Sequence, residues 1–139
     1  MADRLTPEER SKLMGLVRSR DTSPERAVRK LAKALGYRYR LHSKKLPGSP
    51  DLVFPSLKKV VFVHGCFWHR HNCRRGRSMP ATRVDFWTEK FIRNVQRDKQ
   101  VRRALRRDGW RSLVVWECRL TPRALERTAE RLKRFLSAD

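Results

Sequence analysis

The sequence is short of acid, short of cysteine and without any long apolar run, and each shortage excludes something. Of its 139 residues only 14 are Asp or Glu, against 35 Lys and Arg, so the formal net charge is +21. A folded chain with that charge repels itself unless something anionic compensates it. No stretch approaches the roughly 18 apolar residues of a membrane span, and Met1-Ala2-Asp3-Arg4-Leu5-Thr6-Pro7 has no apolar signal core. The expectation is a soluble, cytoplasmic protein. Three cysteines, Cys66, Cys73 and Cys118, are too few and odd in number for a disulfide scaffold. There is no internal repeat and no Pro/Gly/Ser linker, so residues 1–139 read as a single domain.

What is abundant is positive charge, spread along the chain rather than gathered in one tail. That distribution favours a nucleic acid over an anionic membrane surface as the partner.

The elements follow from periodicity and punctuation. Thr6-Pro7-Glu8-Glu9 is a capping box with proline at the first helical position, opening a helical arm over about residues 6–19 in which Leu13, Leu16 and Val17 form a short apolar stripe. A second helix starts at Thr22-Ser23-Pro24-Glu25, carries Ala27, Val28, Leu31 and Leu35 at helical spacing, and stops at Gly36. Tyr37, Tyr39 and Leu41 alternate with arginines as a half-exposed strand. Asp51–Phe54 and Val60–Val63 are apolar runs that predict a hairpin. Trp87, Phe91, Val95, Arg102 and Leu105 mark a long helix ending at Gly109. Leu113–Trp116 is a buried strand, and Thr121-Pro122 caps a last helix through Leu125, Leu132 and Leu136. Helix, helix, three strands, helix, strand, helix predicts an α/β fold with one mixed sheet flanked by helices.

Three thiols and one histidine make a closed tetrahedral zinc set. Cys66, Cys73 and Cys118 supply the thiols, and His64, His69 and His71 are each eligible for the fourth position. Free buried thiols are the bland alternative, but one coordination set uses every cysteine, and the loop from 64 to 73 lacks an apolar pattern to hold it. A closed site has no open position for chemistry, so two histidines remain for other work.

The scarce acids are informative in placement. Antiparallel pairing should bring Asp51 beside Val63 and His64, an oxygen-rich corner of the kind magnesium takes. Asp98 lies beside the apolar face of the long helix and needs a partner there. That partner is either a loop histidine, as in a general-base pair, or Arg97 or Arg102. Glu25 stands in a first helical turn, where the helix dipole alone favours an acid. Phe67 and Trp68 are consecutive, so at least one should be exposed among basic residues and free to stack on bases. Phe86, beside Trp87, is expected to fill the core around the zinc.

Leu46-Pro47-Gly48-Ser49-Pro50-Asp51, Val63-His64-Gly65-Cys66-Phe67-Trp68-His69, Pro80-Ala81-Thr82-Arg83 and Val115-Trp116-Glu117-Cys118 resemble the very short patch repair (Vsr) endonuclease family, as do Arg10-Ser11-Lys12 and Arg20-Asp21-Thr22. The resemblance implies a restriction-endonuclease-like core and a magnesium-dependent nick 5′ to the thymine of a T:G mismatch, left by deaminated 5-methylcytosine in a CTWGG-like context. It implies magnesium on Asp51 and the Val63 carbonyl, although position 63 is Val where the family has Thr. His69 would activate water with Asp98 orienting it, and His64 and Glu25 would support the metal or contact phosphate. Zinc would sit on Cys66, His71, Cys73 and Cys118. Phe67, Trp68 and Trp87 would wedge beside the mismatch from the major groove, and Met14 would approach the minor groove. The stretch from Arg74 to Met79 is more basic than the family pattern. The expected partner is duplex DNA in a bacterial nucleoid, bound by a monomer, and a mismatch-repair protein of the MutL type is a candidate companion. The rivals are a nuclease of the same fold with relaxed specificity and a non-enzymatic zinc protein that coats nucleic acid.

Overall fold

The computed structural model describes residues 4–17 and 23–139, with the side chains of residues 14–17 outside the description. Its elements are α1 (Pro7–Val17), α2 (Pro24–Ala34), β1 (Arg40–Leu41), β2 (Leu52–Phe54), β3 (Lys59–His64), α3 (Val84–Arg107), β4 (Arg111–Trp116) and α4 (Leu125–Ser137). The four strands form one mixed sheet in the order β1-β2-β3-β4. The first two pairings are antiparallel, and β3 runs parallel to β4 across the α3 crossover.

Helix ends follow the residues that the sequence puts there. The Thr6 N–H donates to Glu9 Oε1 at 2.8 Å while the Glu9 N–H donates to Thr6 Oγ1 at 3.1 Å, closing the capping box. Ser23 caps α2, and Gly36 ends it at φ +87°, where the N–H groups of Gly36 and Tyr37 return to the carbonyls of Lys33 and Ala32.

Alternation along the strands divides the core into two layers. Leu52, Phe54, Val61 and Val115 face α1, α2 and α4, packing on Val28, Leu31, Leu132 and Leu136. Val53, Val60 and Phe62 face the other way, against Leu105 of α3. Truncating a fully buried side chain such as Leu132 to alanine would cost about 2–5 kcal/mol. The two-residue period then fixes where the polar ends point: Asp51 shares the parity of Val53, and His64 that of Phe62, so both project toward α3.

Two boundaries differ from expectation. Only Arg40 and Leu41 pair as β1, because β2 has three residues between Pro50 and Pro55; Tyr37 and Tyr39 instead set their rings edge-on to Phe54, with centroids 6.4 Å away. Thr121-Pro122 does not cap α4. Residues 121–124 form a turn closed by Ala124 N–H to Thr121 O, and the helix starts at Leu125, which lets Leu120 and Leu125 both reach the core. Among the described residues no helix is long and apolar enough to cross a membrane.

Candidate active site and metal centre

The hairpin brings Asp51 to the end of β3. Its Oδ2 accepts the Val63 N–H at 2.6 Å, although the two residues are far apart in the chain. On the opposite wall, Asp98 of α3 meets the histidine loop. A tight turn after β3, closed by His69 N–H to Gly65 O, folds the loop back so that His69 lands on His64. The two imidazoles stack with centroids 3.7 Å apart and planes within 5° of parallel. His69 Nδ1 lies 2.7 Å from Asp98 Oδ2, so Asp98 is paired with a histidine and not with Arg97 or Arg102. Trp116, aligned with His64 in the parallel register of β3 and β4, closes the far side in an edge-on contact with ring centroids 5.3 Å apart.

These groups line one cavity of about 300 Å³ that includes Asp51, Val63, His64, His69, Asp98 and Arg102. Burial, the His69 charge and Arg102 together push the His64 imidazolium down to about 4 against an opposing pull from Asp98, so His64 is neutral near pH 7. Its Nδ1 is buried without a hydrogen-bond partner. Burial also raises the Asp51 carboxyl above the usual carboxylate range; the Val63 N–H opposes this and nearby Glu25 adds to it. Arg29 and His42 offset the burial only in part, and a divalent ion beside Asp51 would supply the further counter-charge.

Glu25 does not line that cavity. It sits behind Asp51, pairing with Arg29 and, at 2.7 Å, with His42 Nε2. Ligand atoms of Glu25, His42 and Asp51 all lie within 4.8 Å of one another. The sequence reading missed His42. Its signal was positional: antiparallel pairing of Leu41 with Leu52 sets residue 42 against residue 51, and the His42 N–H indeed points to Asp51 O at 3.4 Å.

The three thiols gather around His71. Ligand atoms of Cys66, His71, Cys73 and Cys118 lie within 4.8 Å of one another, with His71 Nδ1 3.7 Å from Cys66 Sγ and 3.5 Å from Cys118 Sγ. Bond lengths of about 2.3 Å to sulfur and 2.0 Å to nitrogen give a tetrahedral S···N edge of about 3.5 Å, so the set has the size of a zinc site. Burial pushes the Cys66 thiol up to about 12. A thiolate there therefore needs a cation. Two further residues shape this centre. Glu117 accepts the Cys66 N–H at 3.0 Å, and Gly76 passes so close to the His71 backbone that an added Cβ would stand 1.8 Å from its carbonyl oxygen.

An aromatic cluster stands at the N-terminal end of α3. Phe67 is half-buried, with its ring 5.1 Å from Phe91 and 5.9 Å from Trp87, while Trp68 is 44% exposed. Phe86, expected in the core around the cysteines, is 42% exposed; that core is filled instead by Trp116 stacked on His71 at 4.3 Å. Phe86 lies outward in the first turn of α3 with the Arg83 guanidinium 4.6 Å from its ring, and Lys90 stands over Trp68 at 5.1 Å. The Met14 side chain lies outside the described residues, as do Arg20, Asp21 and Thr22.

The family model described as DNA mismatch endonuclease Vsr matches residues 2–75. The type II nicking enzyme V.XorIIP of Xanthomonas oryzae pv. oryzae is 54% identical over 121 residues, covering 87% of this chain and 88% of that protein. The type II nicking enzyme V.NmeAIP of Neisseria meningitidis is 42% identical over 98% of this chain and 95% of its own length. The DNA mismatch endonuclease Vsr of Escherichia coli K12 is 40% identical over all of this chain and 90% of its own. Similarity of that depth over nearly the whole length means that the chain belongs to the Vsr family of DNA mismatch endonucleases.

Proposed function

We propose that this endonuclease nicks duplex DNA 5′ to the thymine of a T:G mismatch in very short patch repair, using magnesium for hydrolysis and zinc for structure, on a restriction-endonuclease-like core. The observation that carries the reading is the convergence of Asp51, His69 and Asp98, from three chain segments, on one open cavity.

Asp51 and the Val63 carbonyl would hold magnesium, which polarises a phosphodiester and stabilises the leaving oxygen. Asp98 accepts the His69 Nδ1 proton and so presents the bare Nε2 of that ring to the cavity as the atom that takes a proton from water. His64, uncharged, holds the His69 ring flat by stacking. Arg97 and Arg102 on the same wall suit the non-bridging oxygens of the phosphate. Glu25, with its Arg29 and His42 partners, positions Asp51 from behind.

Cys66, His71, Cys73 and Cys118 would take zinc and so pin the loop bearing His69 to the end of β4. Exposed Trp68 with Trp87 and Phe67 supports a wedge at the mismatch, where a mispaired step costs less to unstack than a paired one. Met14 on α1 would reach the minor groove. One nick needs one such cavity, so a monomer acting in the bacterial nucleoid is sufficient, with a MutL-type protein as a companion.

The test is nicking of end-labelled duplexes, matched or carrying T:G inside and outside CTWGG, with magnesium or a chelator. The expected product appears only with both mismatch and metal. Equal cutting of matched duplex, or cutting without a divalent ion, overturns the reading.

A further inference from the structure

A second cavity, of about 700 Å³, opens at the β4 edge of the sheet, lined by Lys99, Arg102, Arg103, Arg106 and Arg111 around Trp110, with Phe135 of α4 on its far wall. No acid lines it. Lys99, Arg102, Arg103 and Arg106 follow i, i+3, i+4, i+7 spacing, so they occupy one exposed face of α3. Among the described residues none of those four forms a salt bridge. Like charges so spaced cost roughly 0.2–0.5 kcal/mol per pair. The helix dipole favours Arg106 in the last turn, but gives no reason for the other three. The groove also adjoins the active site, because Arg102 lines both cavities and its charge reaches His64.

The order of groups along α3 gives the groove a direction. Trp87 stands in the first turn, Asp98 in the middle, and Arg103 and Arg106 toward the end. At 1.5 Å per residue, Trp87 lies about 16 Å to one side of Asp98 and Arg106 about 12 Å to the other. A duplex whose mismatch meets the aromatics and whose scissile phosphate meets His69 must therefore send its opposite flank into the groove. We propose that the groove binds the sugar-phosphate backbone of the nicked strand on the 5′ side of the cut, over about three or four base pairs at 3.4 Å of rise each. The choice of flank rests on the nick lying 5′ to the mismatched thymine; binding of a phosphate backbone in the groove does not.

The test measures binding of T:G duplexes by fluorescence anisotropy, without added magnesium, for the wild-type chain and Arg103→Ala/Arg106→Ala. Duplexes have both flanks long, the 5′ flank cut back to about one base pair, or the 3′ flank cut back likewise. With long flanks the variant should bind about tenfold or more weakly per arginine lost, with a log-log salt slope shallower by about 2. With the 5′ flank removed, variant and wild type should bind alike. Thermal melting should show the variant at least as stable as the wild type, since like charges have been removed. Equal affinity on long duplexes, or the same deficit on all three, overturns the proposal. A deficit erased only by trimming the 3′ flank overturns the assigned direction. Affinity is read without cleavage, so a failure to nick T:G duplexes would count against the function alone.

Discussion

His64 and His69 lie face to face, ring on ring, at 3.7 Å. Two imidazoles in that arrangement cannot both carry a proton cheaply, and the surroundings keep His64 from doing so. His64 is the more enclosed and has Arg102 beside it, so its charged form is disfavoured; His69 holds Asp98 through Nδ1 and has the ion-pair partner that its neighbour lacks. The stack thus leaves His64 neutral against a ring that Asp98 holds in place.

That assignment has a stability signature. An unfolded histidine titrates near 6.5 and His64 in the fold near 4, so between those values the unfolded chain binds more protons. Stability should therefore fall as pH drops from about 6.5 to about 4, by at most roughly 1.4 kcal/mol per pH unit from this group, and flatten below. Chemical denaturation of His64→Gln across that range should show a shallower pH slope than the wild type. Equal slopes would mean that His64 is not the buried neutral ring described.

Asp98→Asn keeps the shape of its side chain but can offer its NH2 group to His69 Nδ1 and so favour the wrong tautomer. We expect kcat to fall by about 10²–10⁴ with KM little changed, because the duplex still binds. A loss confined to KM would instead place Asp98 in substrate binding.

Asp51 is raised by burial and by Glu25, so its ionised form weakens the metal-free fold at every pH above its folded pKa. Asp51→Asn removes that charge. Nicking should disappear while the melting temperature of the magnesium-free protein rises at pH 7. A variant that still nicks, or that melts lower, contradicts the place given to this carboxylate.

Zinc content should respond to a residue that is not a ligand. Gly76→Ala drives a methyl group into the His71 carbonyl, so the loop cannot close as it does with glycine. Elemental analysis should find about one zinc per wild-type chain and much less in both Gly76→Ala and Cys118→Ser. Full occupancy in Gly76→Ala would show that the loop has room to spare.

What could be read from the sequence was what local rules govern. The Thr6 box, the Gly36 stop and the Asp51–Val63 contact are set by short-range capping and strand pairing, and each follows from residue types at fixed spacing. The thiol set was legible because no other use accounts for all three cysteines together. The His64–His69 stack was not, because it depends on how the Gly65 turn folds back over β3, which no periodicity encodes. His42 was passed over because its partners Glu25 and Asp51 come from other segments. Phe86 was misplaced because adjacency to Trp87 says nothing of which residue of a helical turn faces outward. The cationic face of α3 was hidden in a chain so rich in Lys and Arg that Lys99, Arg103 and Arg106 drew no notice.

Lys59 begins the strand that His64 ends, and it is buried with its ammonium donating to the main-chain carbonyls of Phe135, Leu136 and Ala138. Carbonyls belong to every amino acid, so no exchange of one side chain for another at those three positions withdraws the acceptors themselves. The last turn of α4 is thus free to drift in composition but not in length. An insertion or deletion there would strand a cation beneath the sheet, at the opposite end of the very strand that delivers the stacked histidine.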